Sequence, residues 1–501
     1  MTTSPAPRGQ TASPGRDDHR WLLLATVAIA QLMVVLDATI VNIALPDAQK
    51  DLHFGQADFQ WIITAYALTF GSLLLLGGRI GDLFGRKRCF VIGLVGFAVA
   101  SAVGGAATSF GMLVAARAFQ GGFGALLAPA ALSVLAVTFT DPSERNKAFG
   151  VFGAVAGGGG ALGLVLGGLL TTYLDWRWCL FVNLLFAALA IVGAGFYLHD
   201  REPHQGTLDI PGTLLASGGL FGIVFGFAHA DTDGWADSGT LVSLALGAVL
   251  LVAFVLVQRR VAHPLLPLRV VWDRTRGGSY LAVAIAGIAV FGVFLFLTLY
   301  LQIVAGYSPL KNGIAFLPLT ALIMVSSTTS NIFLLSRFGP RLLMFLGMIL
   351  GGVGMLLLVR LPIRSTYTVD ILPTLVILGL GFGLIFAPAF NSAILGVRPQ
   401  DAGVASAMVN TMQQVSGSIG TALLSTIVGT AMRGYLTSHH PVTPLVQAAA
   451  AVHAYHVIFV VAALIFFGGA IVVGTLVRSK REYDLVAAAA PEAPDLIAAA
   501  H

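Results

Sequence analysis

The sequence predicts an all-α integral membrane protein: fourteen transmembrane helices, arranged as two parallel six-helix pseudo-repeats with one helix pair inserted between them. Three observations carry that prediction. The first is composition: a chain of 501 residues that is 57% hydrophobic and 10% charged, with a mean hydropathy of +0.87, has more apolar surface than a water-soluble core can hide. The second is a set of apolar runs, each near the roughly 20 residues of helix that cross about 30 Å of hydrocarbon. The third is an internal echo. Gly122-Phe123-Gly124 and Ala128-Pro129-Ala130 return as Gly381-Phe382-Gly383 and Ala387-Pro388-Ala389, 259 residues later. Two halves related by an axis along the membrane normal produce such a repeat.

In chain order the runs lie at 21–45, 59–78, 89–107, 111–138, 147–172, 179–198, 210–230, 239–258, 279–304, 313–335, 341–360, 371–391, 402–430 and 455–478. Residues 1–20 are a polar tail rich in Pro, Ser and Arg, and the run after it is too long for a signal-peptide core and lacks a small-residue cleavage site. Residues 21–200 form the first six-helix bundle. Residues 201–276 hold the inserted helices 7 and 8 and a basic, Pro-punctuated linker, 277–480 form the second bundle, and 481–501 are an Ala-rich tail that needs no fixed structure.

Orientation follows from charge. The turn Gly78-Arg-Ile-Gly-Asp-Leu-Phe-Gly-Arg-Lys-Arg88 is strongly basic, and with it inside both termini are cytoplasmic. Of the 28 Lys and Arg, 21 then fall inside, six outside, and Arg117 within a helix. The net charge of +5 is thereby explained by topology, and nucleic acid is not an expected partner. Cys89 and Cys179 fall at helix ends on opposite faces, which excludes a disulfide between them. No Gly-Lys-Ser/Thr loop, His-Glu-x-x-His motif or Gly-x-Ser-x-Gly elbow is present, so neither an ATP-driven pump nor an enzyme is expected. His439, His440, His453 and His456 gather near the last outer loop without a carboxylate nearby, and no metal site is expected.

Asp37 is the one acid well inside a predicted span, and an intramembrane carboxylate is a functional residue by default. Anchoring helix 1 to a neighbour is its other reading. Arg117 is its natural counterpart: at ~1.5 Å per residue, Asp37 lies about 12 Å and Arg117 about 9 Å below the outer surface. Gly159, Gly163 and Gly167 recur every four residues in helix 5, with Gly168 beside them, and form a face that a neighbouring helix can approach closely. Asn410, Gln413, Gln414 and Gly417 share one face of helix 13, fit for substrate or for interhelical hydrogen bonds. Asn42, Tyr66, Gln120 and Phe382 complete the candidate cavity wall.

Several of these stretches resemble known motifs. Gly78-x-x-x-Asp82-x-x-Gly85-Arg86-Lys87-Arg88 is similar to the signature loop of the major facilitator superfamily, echoed in worn form as Ser336-Arg-Phe-Gly-Pro-Arg341. Leu36-Asp37-Ala-Thr-Ile-Val-Asn42-Ile-Ala-Leu-Pro46 and Arg117-Ala-Phe-Gln-Gly121 resemble the first- and fourth-helix motifs of its fourteen-helix drug:proton antiporter branch. In helix 5 Leu164 stands where exporters carry a proline, which puts the proline-dependent kink in doubt. The resemblance implies the major facilitator fold and a multi-pass plasma-membrane exporter of lipophilic or cationic compounds such as antibiotics. It implies proton coupling at Asp37 and Arg117, and a gate at Gly78, Asp82, Gly85, Arg86 and Arg88. The proton gradient would supply energy without a cofactor; small molecules, protons and the bilayer would be the partners of a monomer. A transporter of one defined metabolite, not coupled to protons, is the alternative.

Overall fold

The computed structural model describes residues 15–54, 59–198, 208–262, 264–441 and 443–488. Among them the regular structure is helical. The first half comprises α1 (Gly15–Leu52), α2 (Phe59–Phe84), α3 (Arg86–Gly105), α4 (Phe110–Thr138), α5 (Pro142–Tyr173) and α6 (Trp178–Tyr197). The inserted pair is α7 (Ile210–Thr232) and α8 (Ser238–Gln258), followed by the short α9 (Leu268–Val271). The second half comprises α10 (Arg274–Gly292), α11 (Pro309–Ala315), α12 (Leu317–Thr329), α13 (Leu335–Leu358), α14 (Leu372–Ile394), α15 (Ala402–Ser438) and α16 (Pro444–Leu476). A last helix, α17 (Lys480–Ala488), follows. Twelve described helices are long and apolar enough to cross a membrane, or thirteen if the bent α5 is one span.

Four acids cap helix starts. Asp141 receives the amides of Ser143 and Glu144 at 2.9 and 3.0 Å, with Pro142 at the first helical position. Asp209, Asp237 and Asp273 start α7, α8 and α10 in the same way. Each satisfies amides that the first turn leaves without helical partners. Within the inserted pair α8 packs on α7, and α7 lies against α2 of one half and α15 of the other; after α7, Trp235 Nε1 donates to Thr426 Oγ1 at 2.6 Å.

Several expectations are corrected. The signature stretch is not an eleven-residue turn: α2 continues to Phe84, so Gly78 and Asp82 are helical, and the chain reverses at Gly85 alone. Only Gly85 takes the left-handed φ, of 101°, which a glycine adopts without steric cost. In the worn echo Gly339 does the same, with φ 75°. The kink in doubt in helix 5 exists without proline: α5 bends by 45° between Gly160 and Leu162, just after the run of glycines. The tails are shorter than expected, since α1 begins at Gly15 and residues 480–488 are helical; residues 1–14 and 489–501 lie outside the described ones. The last span begins at Pro444, so His453 and His456 are helical.

Candidate functional site

Four helices of the first half converge on one carboxylate. Asp37 of α1 is completely buried, as are Gln120 of α4, Ser101 of α3 and Asn183 of α6, while Arg117 of α4 is 2% exposed. Arg117 Nη1 donates to Asp37 Oδ2 at 2.5 Å and to Gln120 Oε1 at 2.8 Å. Gln120 Nε2 and Asn183 Nδ2 donate to Asp37 Oδ1 at 3.1 and 2.7 Å, and both amides reach Ser101 Oγ, at 2.6 and 3.3 Å. The guanidinium lies 4.4 Å above the Tyr66 ring of α2, which stacks on Phe70. Charge pairing and neutral donors thus meet the requirement that a buried ion be compensated. The common depth expected for Asp37 and Arg117 is met by direct contact. Asn183 and Ser101 carry no site signal in the sequence, because single Ser and Asn residues in apolar helices usually serve packing.

At the end of the molecule that carries Gly85, the two halves touch through polar groups. Asp82 Oδ1 accepts from Arg86 Nη2 at 3.0 Å and from the Gly403 amide at 3.1 Å, joining α2 to the start of α15. A side chain at Gly78 would begin 2.6 Å from the Gly403 carbonyl, so glycine permits this approach. Next to it, Arg145 Nη2 donates to the Asn391 carbonyl at 3.2 Å, and Asn391 Nδ2 donates to Asn146 Oδ1 at 2.6 Å, joining α5 to α14. Arg88 is exposed. At the opposite end the partners of Arg177 among the described residues all belong to its own half. Arg177 donates to Asp51 at 2.7 Å and to the Gly105 and Ala107 carbonyls at 3.0 and 2.6 Å. The Trp176 indole N–H and then Arg177 hold the Asp51 carboxyl below its ordinary range.

The glycine face of α5 meets α1: side chains at Gly159, Gly163 and Gly167 would run into Val35, Thr39 and Ile40 respectively. Gly168 faces Leu310 of α11 instead. Of the proposed cavity residues, Asn42 is exposed, Gln413 and Gln414 are half-buried, and Asn410 is buried with its amide on the Ser406 carbonyl at 3.0 Å. Gln120 and Tyr66 belong to the Asp37 cluster. Phe382 is wholly buried against Phe386 and Phe466, so here it fills the core of the second half. No group of three or more metal-binding side chains converges among the described residues.

A family model described as the Major Facilitator Superfamily matches residues 27–421. The chain is 48% identical to the puromycin resistance protein of Streptomyces alboniger over 96% of its own length and 95% of that protein's. It is 36% identical to the cephamycin export protein of Amycolatopsis lactamdurans, over 83% and 87% of the two lengths. With the tetracenomycin C resistance and export protein of Streptomyces glaucescens it shares 34% identity, over 85% and 79%. The crystal structure of the human organic anion transporter MFSD10 superposes with a TM-score of 0.61 at 16% identity, covering 92% of this chain and 100% of that one, a likeness of fold.

Proposed function

The chain belongs to the major facilitator superfamily of membrane transporters, and on that premise we propose that it is a proton-coupled antiporter exporting small lipophilic or cationic compounds, antibiotics among them. The observation that carries the coupling is the burial of Asp37 beneath three donors from two other helices. While Asp37 is charged, α1 is tied to α4 and α6. A proton on Asp37 removes the anion that compensates Arg117, and breaking one side of a buried ion pair costs about 3–5 kcal/mol. That is close to the ~5.5 kcal/mol that turns a two-state equilibrium from 1:99 to 99:1. Direct competition of substrate and proton for Asp37 is disfavoured by its burial. Substrate instead meets neutral groups such as Asn42, Gln413 and Gln414, and coupling passes through helix arrangement.

Export is supported by the names of the relatives, two of which are export proteins. Fourteen spans are supported by the 49-residue run Leu310–Leu358: at ~1.5 Å per residue it is more than twice a bilayer core, and it breaks at Gly339. Two parallel halves, 21–200 and 277–480, are supported by the paired glycine turns at 85 and 339. Plasma-membrane insertion with cytoplasmic termini is supported by the basic residues at the Gly85 end. With that end inside, the Asp82–Gly403 and Arg145–Asn391 contacts close the cytoplasmic gate, Gly78, Gly85, Arg86 and Arg88 shaping it.

Proteoliposomes carrying a pH-sensitive dye test the reading. Adding puromycin or a lipophilic cation should move protons through the native protein and not through Asp37→Asn. Substrate flux without proton movement in the native protein would favour the uncoupled, single-metabolite alternative.

A further inference from the structure

The C-terminal helix α17 is a built element. Glu482 closes back on its start, the Ser479 amide and hydroxyl each donating to Glu482 Oε2 at 3.0 Å. Lys480 and Asp484 pair one turn apart. Across residues 481–485 its outward positions are exposed, including Leu485, and Tyr483 alone is buried, at 9% exposure. The helix starts against the second glycine turn: a side chain at Gly339 would begin 2.9 Å from the Lys480 Cα.

Tyr483 lies where the two halves meet. Its phenol faces the Ser392 hydroxyl at the end of α14, beside it rather than in a formed hydrogen bond, and it lies in the field of the Arg145 guanidinium at the start of α5. Burial pushes the phenol above its ordinary range while Arg145 pulls the other way, so the ring stays neutral and acts by shape and polarity. Arg145 is the same residue that donates to the Asn391 carbonyl across the gate. Ser392 follows Asn391 directly in α14. The tail is therefore seated on the second half, with the buried Tyr483 in the field of a residue of the first.

We propose that Tyr483 is a positioning residue of the cytoplasmic gate: by wedging beneath the Arg145–Asn391 contact, it holds the halves together there and biases the transporter toward the state closed on that side. Opening then requires α17 to lift from Gly339 and Ser392. The inference rests on alternating access and not on proton coupling, so it can fail while the role of Asp37 stands, and the reverse.

Two reporter cysteines test it in membrane vesicles, since Cys89 and Cys179 are both buried. Asn331→Cys sits unexposed at the Gly150 contact between the halves, and Asn42→Cys lies exposed on α1. A membrane-impermeant maleimide is applied from either side. Tyr483→Ala should raise labelling at 331 about fivefold and lower it at 42, while Tyr483→Phe, which keeps the ring, should stay near the native rates. A rise at both sites would mean general loosening, and no change at either would mean a passive tail; each overturns the proposal. If Tyr483→Ala does not fold, termination after Ser479 reads the same two rates and is judged by the same outcomes.

Discussion

At position 117 the first half buries a guanidinium, and 259 residues later the second half has Val376; where Gln120 stands in α4, Gly379 stands in α14. Around those positions the first half has Asp37, Ser101 and Asn183, whereas the second has Phe382, Phe386, Phe390 and Phe466, with successive ring centres 5.9–6.3 Å apart. Both halves have a glycine of left-handed φ, at 85 and 339. The chemistry is not shared. A frame of this kind folds with an aromatic core, so the ionic cluster is not required for the architecture. Its desolvation cost is carried in one half alone, so the proposed proton-coupled step would belong to that half.

The largest effect should come from making the first half resemble the second. Asp37→Leu alone leaves Arg117 buried and uncompensated and should destabilise the protein by about 3–5 kcal/mol. Adding Arg117→Leu should recover most of that loss, because both charges are gone, yet substrate-driven proton movement should remain absent. Thermal unfolding in detergent and flux in proteoliposomes separate the two readouts. A double variant as unstable as the single one would mean that the cluster holds the fold after all.

The contacts between halves come next. Gly78→Leu would drive a side chain into the Gly403 carbonyl from 2.6 Å, opposing closure of the Gly85 end without touching Asp37. Overpacking of this kind costs about 1–3 kcal/mol in the closed arrangement and is relieved when the halves part, so transport should fall about tenfold while thermal stability changes little. An unchanged transport rate would remove this contact from the gate.

Within α5 the same logic distinguishes neighbours. A methyl at Gly163 would meet the Thr39 hydroxyl and lie 3.1 Å from the Leu36 carbonyl, whereas at Gly168 it would make an ordinary 3.4 Å contact with Leu310. Gly163→Ala should therefore cost about 1–3 kcal/mol and Gly168→Ala under about 0.5 kcal/mol, as read from unfolding midpoints. Equal costs would show that the four-residue spacing overstates the closeness of α1.

What the sequence made legible follows from how rare each signal is. A carboxylate and a guanidinium in apolar runs have few explanations in a membrane, and helical rise alone puts Asp37 and Arg117 at similar depth. Asn183 and Ser101 left no such mark, because small polar residues are common in spanning helices. Gly78 and Asp82 read as part of a turn because glycine density resembles a loop; only the approach of Gly403, distant in sequence, explains glycine inside a helix. Phe382 read as a cavity wall because an aromatic run cannot by itself tell core from surface. The C-terminal helix was legible in Ser479-x-x-Glu482, the residue pattern of a helix start, obscured by the Ala-rich stretch after it.

The smallest expected effect sharpens the contrast between the two ends. Asp51 is held by Trp176 and Arg177, all three in the first half, and its carboxyl is kept below the ordinary range by those donors. A lowered folded value means stabilisation that is present above the unfolded value, about 3.9 for Asp, and lost as pH falls through the folded one. Native protein should thus unfold at a slightly higher temperature than Asp51→Asn at pH 7, by the modest amount typical of an exposed ion pair. The gap should close in acid below the ordinary carboxylate range. Because the clasp joins no described residue of the second half, Asp51→Asn should leave labelling at Asn331→Cys unchanged. A change there would mean that the Arg177 clasp is coupled to the contacts at the Gly85 end, and the two ends would then have to be treated as one device.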